Sequence, residues 1–566
     1  MRYSIPAVAA MAGLLWAACA SKEQPKRTPA QEAERIAAAF ETPKPYTHHK
    51  LDSLDLERFL AANPQYRQDS SQIRSFYASR GYQYAWFAAD TLAPTAEAML
   101  NLLEPTGALQ QLHTWRALVE RAQADTMLAD SARLNVELGL TGLFFQAASN
   151  EFGGYVKGDL HDLGWYIPRA KKNYAMLLDS MVAGKTDLSP IEPVHPQYHL
   201  LKVFLQRYYQ VEAEGPWPVI ALPKGKLAMG DTLAALQAIG HRLFLLGDLA
   251  ADPSGNGMDT TLAKGLVNFQ ERHGLSPSGL PDAPTMAALN VPIAQRIRTI
   301  LLNMERLRWV NPVPPRDYLL VNIPEFRLHV YEGGKEAWSM KVVAGAVATH
   351  TVIFSGELST IVFSPYWNVP QSIVRNEVAP AMRRNAGYLA RNNMEVVRDG
   401  KVVPPGSINW AHFTGGGGYS FRQKPGTENS LGLVKFLFPN EYSIYMHDTP
   451  AKARFVPEKR AFSHGCIRLQ EPQRLAEYLL RNDSTWTSSA IGKAMHAGKE
   501  QAVKVQPPVP VVIGYFTAWV DGQGRLNFRD DVYGHDARLA EELFAPETIA
   551  ADAAASTGGG GARLSR

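Results

Sequence analysis

The chain has 566 residues, which at roughly 150 residues per domain predicts about four folding units and excludes a single-core protein. Hydrophobic residues make up 46% and charged residues 20%, so neither a disordered chain nor a polytopic membrane protein is expected. Lys and Arg number 58 against 54 Asp and Glu, a net charge of +4 that is too small to predict nucleic-acid binding. The two cysteines, Cys19 and Cys466, exclude a multi-disulfide scaffold.

Residues 1–19 read as a targeting segment. Arg2 supplies a positive start, residues 5–16 form an apolar run, and Ala17-Ala18 stand directly before Cys19. Small residues followed at once by Cys resemble a lipoprotein signal, which implies lipidation of Cys19, a mature chain beginning there and a membrane partner. An ordinary cleaved signal with an incidental Cys is the alternative. Residues 20–50, rich in Lys, Glu, Pro and Thr, read as a flexible tether, and no later apolar run is long enough to span a bilayer.

Residues 51–222 show mostly helical periodicity and carry many aromatics, among them Tyr77, Trp86, Phe87, Phe144, Phe145, Trp165 and Tyr166. This is read as a helical scaffold whose rings pack a core, with a glycan platform as the alternative. Pro216, Pro218 and Pro223 mark a boundary. Residues 223–292 then hold three helical patterns, punctuated by Gly274 and by Asp282 with Pro284. Phe269-Gln270, His273-Gly274-Leu275, Thr285 and Leu289-Asn290 resemble the small peptidoglycan-binding domain of cell-wall hydrolases. A bare spacer is the alternative.

After a linker helix (293–316) the periodicity changes to alternating, predicting a β-rich domain over 317–500. Residues 372–442 interrupt it, a length that suits a lid or binding loop. Aromatics beside the run Gly415 to Gly418 could close over a peptide. A strand-turn-strand segment (501–549) and a Gly-rich disordered tail (550–566) complete the chain.

The chemistry is expected between His447 and Arg468. Residues 442–447 have strand character and deliver His447 at their end; fifteen residues (448–462) separate it from Ser463-His464-Gly465-Cys466. A thiol at its ordinary pKa is mostly unreactive at neutral pH, and an adjacent imidazole corrects that. Gly465 removes bulk beside the thiol, so the N–H groups of Gly465 and Cys466 are expected to face a developing oxyanion, where one donor is worth about 3 kcal/mol. Ser463, His464 and Arg468 are supporting residues. His464 reads as structural rather than as a second base, and Arg468 either braces the turn or binds a substrate carboxylate. A zinc site of His447, His464 and Cys466 lacks a fourth ligand, so no metal is expected.

His447 followed by Ser-His-Gly-Cys-x-Arg resembles the signature of the YkuD-type L,D-transpeptidase catalytic domain. Val321-Asn322-Ile323-Pro324, Trp367-Asn368-Val369-Pro370, Arg422 to Gly426, Gly432 to Phe436 and Tyr515 to Trp519 resemble its large YcbB-type branch. The resemblance implies a multidomain α+β protein: a helical scaffold, a three-helix peptidoglycan-binding domain and a β-rich catalytic domain with a capping insertion. It further implies a cysteinyl thioester route to 3-3 cross-links between peptidoglycan stem peptides, with no cofactor. An L,D-carboxypeptidase using the same residues, or a non-catalytic peptidoglycan-binding lipoprotein, are the alternatives. Substrate contacts are expected at Trp410, Tyr419, Arg422 and Asn429, and the location at the cell envelope, periplasmic and lipid-anchored, with other cell-wall synthesis proteins as partners. Thr351-Val352 departs from the Thr-Pro of the family, a change expected to alter loop shape rather than activity.

Overall fold

The computed structural model describes residues 47–103, 112–124, 129–185, 188, 191–222 and 227–545. The expected targeting segment with Cys19, the tether up to residue 46, Pro223 and the tail from 550 lie outside them. The chain divides into two compact units, residues 1–147 with 175–188, and residues 148–174 with 189–566. The region 51–222, read as one scaffold, is therefore shared between them.

In the first unit, helices Ser53–Ala62 and Ser70–Ser79 and the first part of Asp130–Gly153 surround fully buried Phe76, Tyr77, Trp86, Phe87 and Phe145. Burial at this level makes these rings core, not a glycan platform. Glu137 is the polar keystone. Its carboxylate accepts hydrogen bonds from the Ala85 N–H (2.6 Å), the Trp86 N–H (2.9 Å) and the Tyr77 hydroxyl (2.8 Å), while burial pushes its pKa up to about 7.

The second unit contains the three short helices expected from sequence, Ala234–Leu246, Thr260–Arg272 and Ala283–Leu289. Asp259 and Asp282 cap the second and third by accepting from backbone N–H groups. Leu243, Leu266 and Phe269 are fully buried between them. The motif glutamine, Gln270, is consumed internally: its amide donates to the Leu280 carbonyl and Thr285 hydroxyl and accepts from the Gly279 N–H.

Helix Ile293–Trp309 departs from its expected role as a linker. Every residue from Leu302 to Trp309 is buried, including Asn303, Glu305, Arg306 and Arg308. Buried charge at this density is stable only when paired. Glu305 accepts from the Val156 N–H and the Trp309 indole, Arg308 donates to the Tyr198 hydroxyl, Arg306 pairs with Asp536, and Asn303 exchanges two bonds with Thr517. The helix is a central strut. Several of the partners of its polar residues, Val156, Tyr198, Thr517 and Asp536, lie far along the chain.

The β-rich part begins with β1 (Tyr318–Asn322), β2 (Arg327–Glu332), β3 (Lys335–Gly345) and β4 (Phe354–Phe363). Four strands follow: β5 (Trp367–Asn368), β6 (Met394–Arg398), β7 (Lys401–Val403) and β8 (Tyr419–Gln423). Then come β9 (Val434–Leu437), β10 (Met446–His447), β11 (Ala461–Ser463), β12 (Ile467–Leu469) and β13 (Gln501–Gly514). The nine-stranded sheet runs β11-β3-β12-β10-β9-β4-β13-β1-β2, and β2 pairs again with β3, so its hydrogen bonding closes into a circuit. A separate four-stranded sheet, β5-β8-β6-β7, forms the cap together with the helical stretch that follows β5.

Two expected boundaries move. Strand β9 pairs with β4 and β10, so the insertion expected to end at residue 442 stops before Val434. Strand β13 lies between β4 and β1 in the main sheet, so the catalytic domain does not end at 500. Pro507, Pro508 and Pro510 disguise β13 in the sequence. The first two fall within the register shift between Lys504 and Val509, where a missing N–H breaks no ladder bond.

Candidate active site

Strands β10 and β12 are parallel neighbours with Met446 opposite Ile467 and His447 opposite Arg468. Side chains alternate along a strand, so Met446 and Ile467 point together into the core, each fully buried, and His447 and Arg468 share the other face. Cys466 stands on the turn that leads into β12. The register puts Cys466 beside Tyr445 and His447 beside Arg468, so residues 19 positions apart in sequence (466 − 447) are brought diagonally together on one face of two adjacent strands.

The turn is held from three sides. The Ser463 hydroxyl donates to the Cys466 carbonyl (2.6 Å) and accepts from the Gly465 N–H (3.1 Å). Gly465 has φ +113°, a conformation that favours glycine. The Thr351 hydroxyl donates to the Gly465 carbonyl (2.7 Å) and accepts from the Gly345 N–H (2.9 Å), while Thr349 and the Ala346 N–H both donate to the Ser463 carbonyl. Tyr533 supports this loop by donating to the Gly345 carbonyl (2.6 Å). The expected role of the Gly465 N–H changes here: it is bonded to Ser463, because the serine hydroxyl closes the turn on itself.

His447 is 4% exposed, and its Nδ1 donates to the main-chain carbonyl of Asp448, which leaves Nε2 without a proton. Burial, reinforced by the Arg468 charge, holds its pKa down to about 4. The imidazole is therefore neutral at pH 7. The Asp448 carboxylate accepts from the Leu433 N–H (2.9 Å) and from Lys452 Nζ (2.7 Å). Gly432 has φ +62°, and a Cβ there would overlap this carboxylate, so only glycine admits the arrangement.

Cys466 is half-buried, with Sγ donating to the Ser443 carbonyl at 3.8 Å. Burial pushes its pKa up, while hydrogen bonds from Tyr445 and the Arg468 charge oppose the rise. The resting group is a neutral thiol. The Tyr445 hydroxyl lies against it, and burial followed by the Cys466 charge keeps that phenol well above its ordinary pKa. Thr351, Asp448 and Tyr445 were not anticipated as site residues. A signal existed for Tyr445, which precedes His447 by two and so shares its face of the strand.

His464 is exposed and sits 3.4 Å from Glu377 of the cap, so the cap reaches the motif at this contact. Arg468 is half-buried, and its Nε is buried without a hydrogen-bond partner. The four residues expected to contact substrate serve the cap itself. The Trp410 indole donates to the Pro405 carbonyl (2.8 Å), and its ring packs edge-on against Phe413. Tyr419 lies under Arg398 and pairs in β8. Arg422 donates to Glu395 and stacks on Tyr366. Buried Asn429 donates to the carbonyls of Pro365, Gln423 and Lys424, tying both ends of the cap to its base. Among the described residues, the grouping of metal-ligand type is His48, His49 and Asp90 in the first unit, not the Cys466 turn. A cavity of 900 Å³ in the second unit is lined by Tyr318, His329, Tyr331 and Trp519 rather than by Cys466.

Residues 316–513 match the family model described as the L,D-transpeptidase catalytic domain (YkuD), and residues 71–205 match the Scaffold domain. A Haemophilus influenzae protein named "Putative L,D-transpeptidase" is 30% identical over 241 residues, 42% of this chain and 48% of that protein. The chain thus spans about half the length of this relative. Among solved structures, an L,D-transpeptidase from Stackebrandtia nassauensis is 12% identical, covering 52% of this chain and 98% of its own, with a TM-score of 0.22. One from Mycobacterium smegmatis is 13% identical, covering 35% and 58%, with a TM-score of 0.18. At those scores no residue role is carried across.

Proposed function

With residues 316–513 a YkuD-type L,D-transpeptidase catalytic domain and residues 71–205 a Scaffold domain, we propose that this chain cross-links peptidoglycan stem peptides through a thioester on Cys466. The observation that carries the reading is that a neutral thiol and a neutral, buried imidazole stand on the same face of adjacent parallel strands, one register position apart. A thiol held above its ordinary pKa needs a base, and His447, with Nε2 free of a proton, is one.

The donor is a stem ending in a D-residue. Cys466 Sγ attacks the carbonyl on the L-centre of the diamino acid at position three as His447 takes the thiol proton. The C–N bond to the terminal D-residue then breaks, the proton passes from His447 to the departing amine, and a thioester remains. The side-chain amine of a second stem attacks this thioester, giving up its proton to His447 and restoring the thiol. With the Gly465 N–H engaged by Ser463, the donors at the turn for the oxyanion are the Cys466 N–H and the Tyr445 hydroxyl.

The Ala17-Ala18-Cys19 junction supports an envelope location with a lipid anchor, and the resemblance of the three-helix module to a peptidoglycan-binding domain supports retention on the glycan. Incubating the purified protein with tetrapeptide muropeptides and separating the products tests the reaction. Cross-linked dimers with release of the terminal D-residue are expected, absent with Cys466→Ala. Tripeptides alone would mean that water is the acceptor and the chain an L,D-carboxypeptidase, and no product would leave the binding role.

A further inference from the structure

Two guanidinium groups, Arg468 beside the Cys466 turn and Arg454 close to Arg468, have no carboxylate partner among the described residues. Arg468 is cross-strand from His447 in register and shares its face of the sheet, one residue beyond the Ile467 that anchors the turn in the core. Its Nε is buried with no hydrogen-bond partner, and among the described residues no carboxylate pairs with it. Arg454, on the loop that connects β10 to β11, is exposed and lies over the Phe462 ring at 5.0 Å. It too has no carboxylate partner among the described residues, and it is close enough to Arg468 to oppose that group's charge. The neighbouring cation on the loop, Lys452, is already paired with Asp448.

Placing like charges together in a half-buried setting is unfavourable, and leaving a buried donor unbonded adds to that cost. Both costs vanish when an anion enters. Guanidinium forks match a carboxylate with two parallel hydrogen bonds, which fixes its orientation as well as its position. We propose that Arg468 and Arg454 form the seat for a carboxylate of the donor stem, beside the thiol. This rests on the L,D-transpeptidase reading and names the part of the substrate that directs it.

A donor stem offers this chemistry in two places: the α-carboxylate of the leaving D-residue and, where the diamino acid is a dicarboxylic one, the acid on its distal D-centre. The first is two bonds from the scissile nitrogen, whereas the second lies at the far end of a side chain. Arg468 adjoins both His447 and the turn, and so favours the first. The site would then require a free C-terminal acid one residue past the scissile bond, making the enzyme selective for tetrapeptide donors over longer or amidated ones. Seating the anion also neutralises the charge that, with burial, holds His447 down. The base would strengthen when the correct donor arrives.

The test measures binding by calorimetry on the full chain carrying Cys466→Ala, so that no turnover intervenes. Three ligands are compared: the tetrapeptide stem, its C-terminal carboxamide, and the stem amidated at the D-centre acid. The C-terminal carboxamide is expected to bind about tenfold more weakly than the acid, with the gap closing in Arg468→Gln and narrowing in Arg454→Gln, and partly restored by Arg468→Lys. Loss confined to the D-centre amide would overturn the assignment to the leaving residue. Equal binding of all three, or a gap that survives both glutamine variants, would overturn the seat itself. Should Arg468→Gln fail to fold, exposed Arg454 carries the comparison alone. Failure of the transferase reading shows separately, as the absence of a covalent adduct when the unsubstituted enzyme meets the same tetrapeptide.

Discussion

Thr351 and Gly465, 114 positions apart, are joined by a 2.7 Å hydrogen bond from the threonine hydroxyl to the glycine carbonyl. Thr351 is fully buried and accepts from Gly345 at the same time, so one side chain links the end of β3 to the nucleophile turn. Remoteness in sequence placed this position away from the chemistry; in the structure it touches the residue next to Cys466.

Thr351→Val keeps the shape and removes both bonds, leaving a buried N–H and a buried carbonyl unpaired. We expect a loss of about 1–3 kcal/mol in stability and a reaction rate at Cys466 lowered about tenfold or more, with Thr351→Ser retaining most of each. Thermal unfolding and the rate of acylation check this. A valine variant with unchanged acylation would show that the turn keeps its geometry without Thr351.

Tyr445→Phe removes the hydroxyl that lies against the thiol. Because Tyr445 opposes the upward push of burial on Cys466, the pH at which the thiol is half-alkylated by iodoacetamide should move higher. Acylation should slow by about a hundredfold if the hydroxyl also serves the oxyanion. A shift in alkylation without a change in acylation would confine Tyr445 to tuning the thiol.

The pH profile of kcat/KM reports on His447. Burial and then Arg468 hold its pKa to about 4, so the imidazole stays unprotonated as pH falls through the ordinary histidine range. The acid limb is expected below about pH 5 rather than near 6.5. An acid limb centred on an ordinary histidine pKa would mean that the base is solvated or is another residue.

A second buried histidine gives a prediction of opposite sign. His329 is bonded through Nε2 to Glu325 (2.8 Å) and through Nδ1 to Glu336 (2.9 Å). Burial alone would lower its pKa, but the two carboxylates outweigh burial and raise it to about 9. Its folded-state pKa thus exceeds its unfolded one. The stability it contributes is complete below the ordinary histidine pKa and is lost as pH rises through about 9. Melting temperature should fall over that window in the native protein and fall less in His329→Gln.

What the sequence made legible followed from local patterns. The three short helices carry their own caps and stripes, and the His447 and Cys466 motif is short and contiguous. Three features were hidden because their partners are distant. The helix 293–309 looks charged until Asp536, Thr517, Tyr198 and Val156 are placed around it. Strand β13 is masked by Pro507, Pro508 and Pro510, of which the first two sit where the ladder is already interrupted. Trp410, Tyr419, Arg422 and Asn429 looked like ligand contacts because aromatic and polar side chains near a glycine run suit a binding loop. In the fold Trp410 and Tyr419 pack against a cap core of Val374, Val378, Val396 and Phe421, while Arg422 bonds to Glu395 and Asn429 to the Pro365 carbonyl.

The most direct measurement is the intact mass of the protein after incubation with a tetrapeptide donor and no acceptor amine. The account predicts an adduct on Cys466 equal to the donor less its terminal D-residue, formed in the native protein, removed by an added amine and absent from Cys466→Ala. A native protein that keeps its unmodified mass while the donor is consumed, or an adduct that persists in Cys466→Ala, would contradict it.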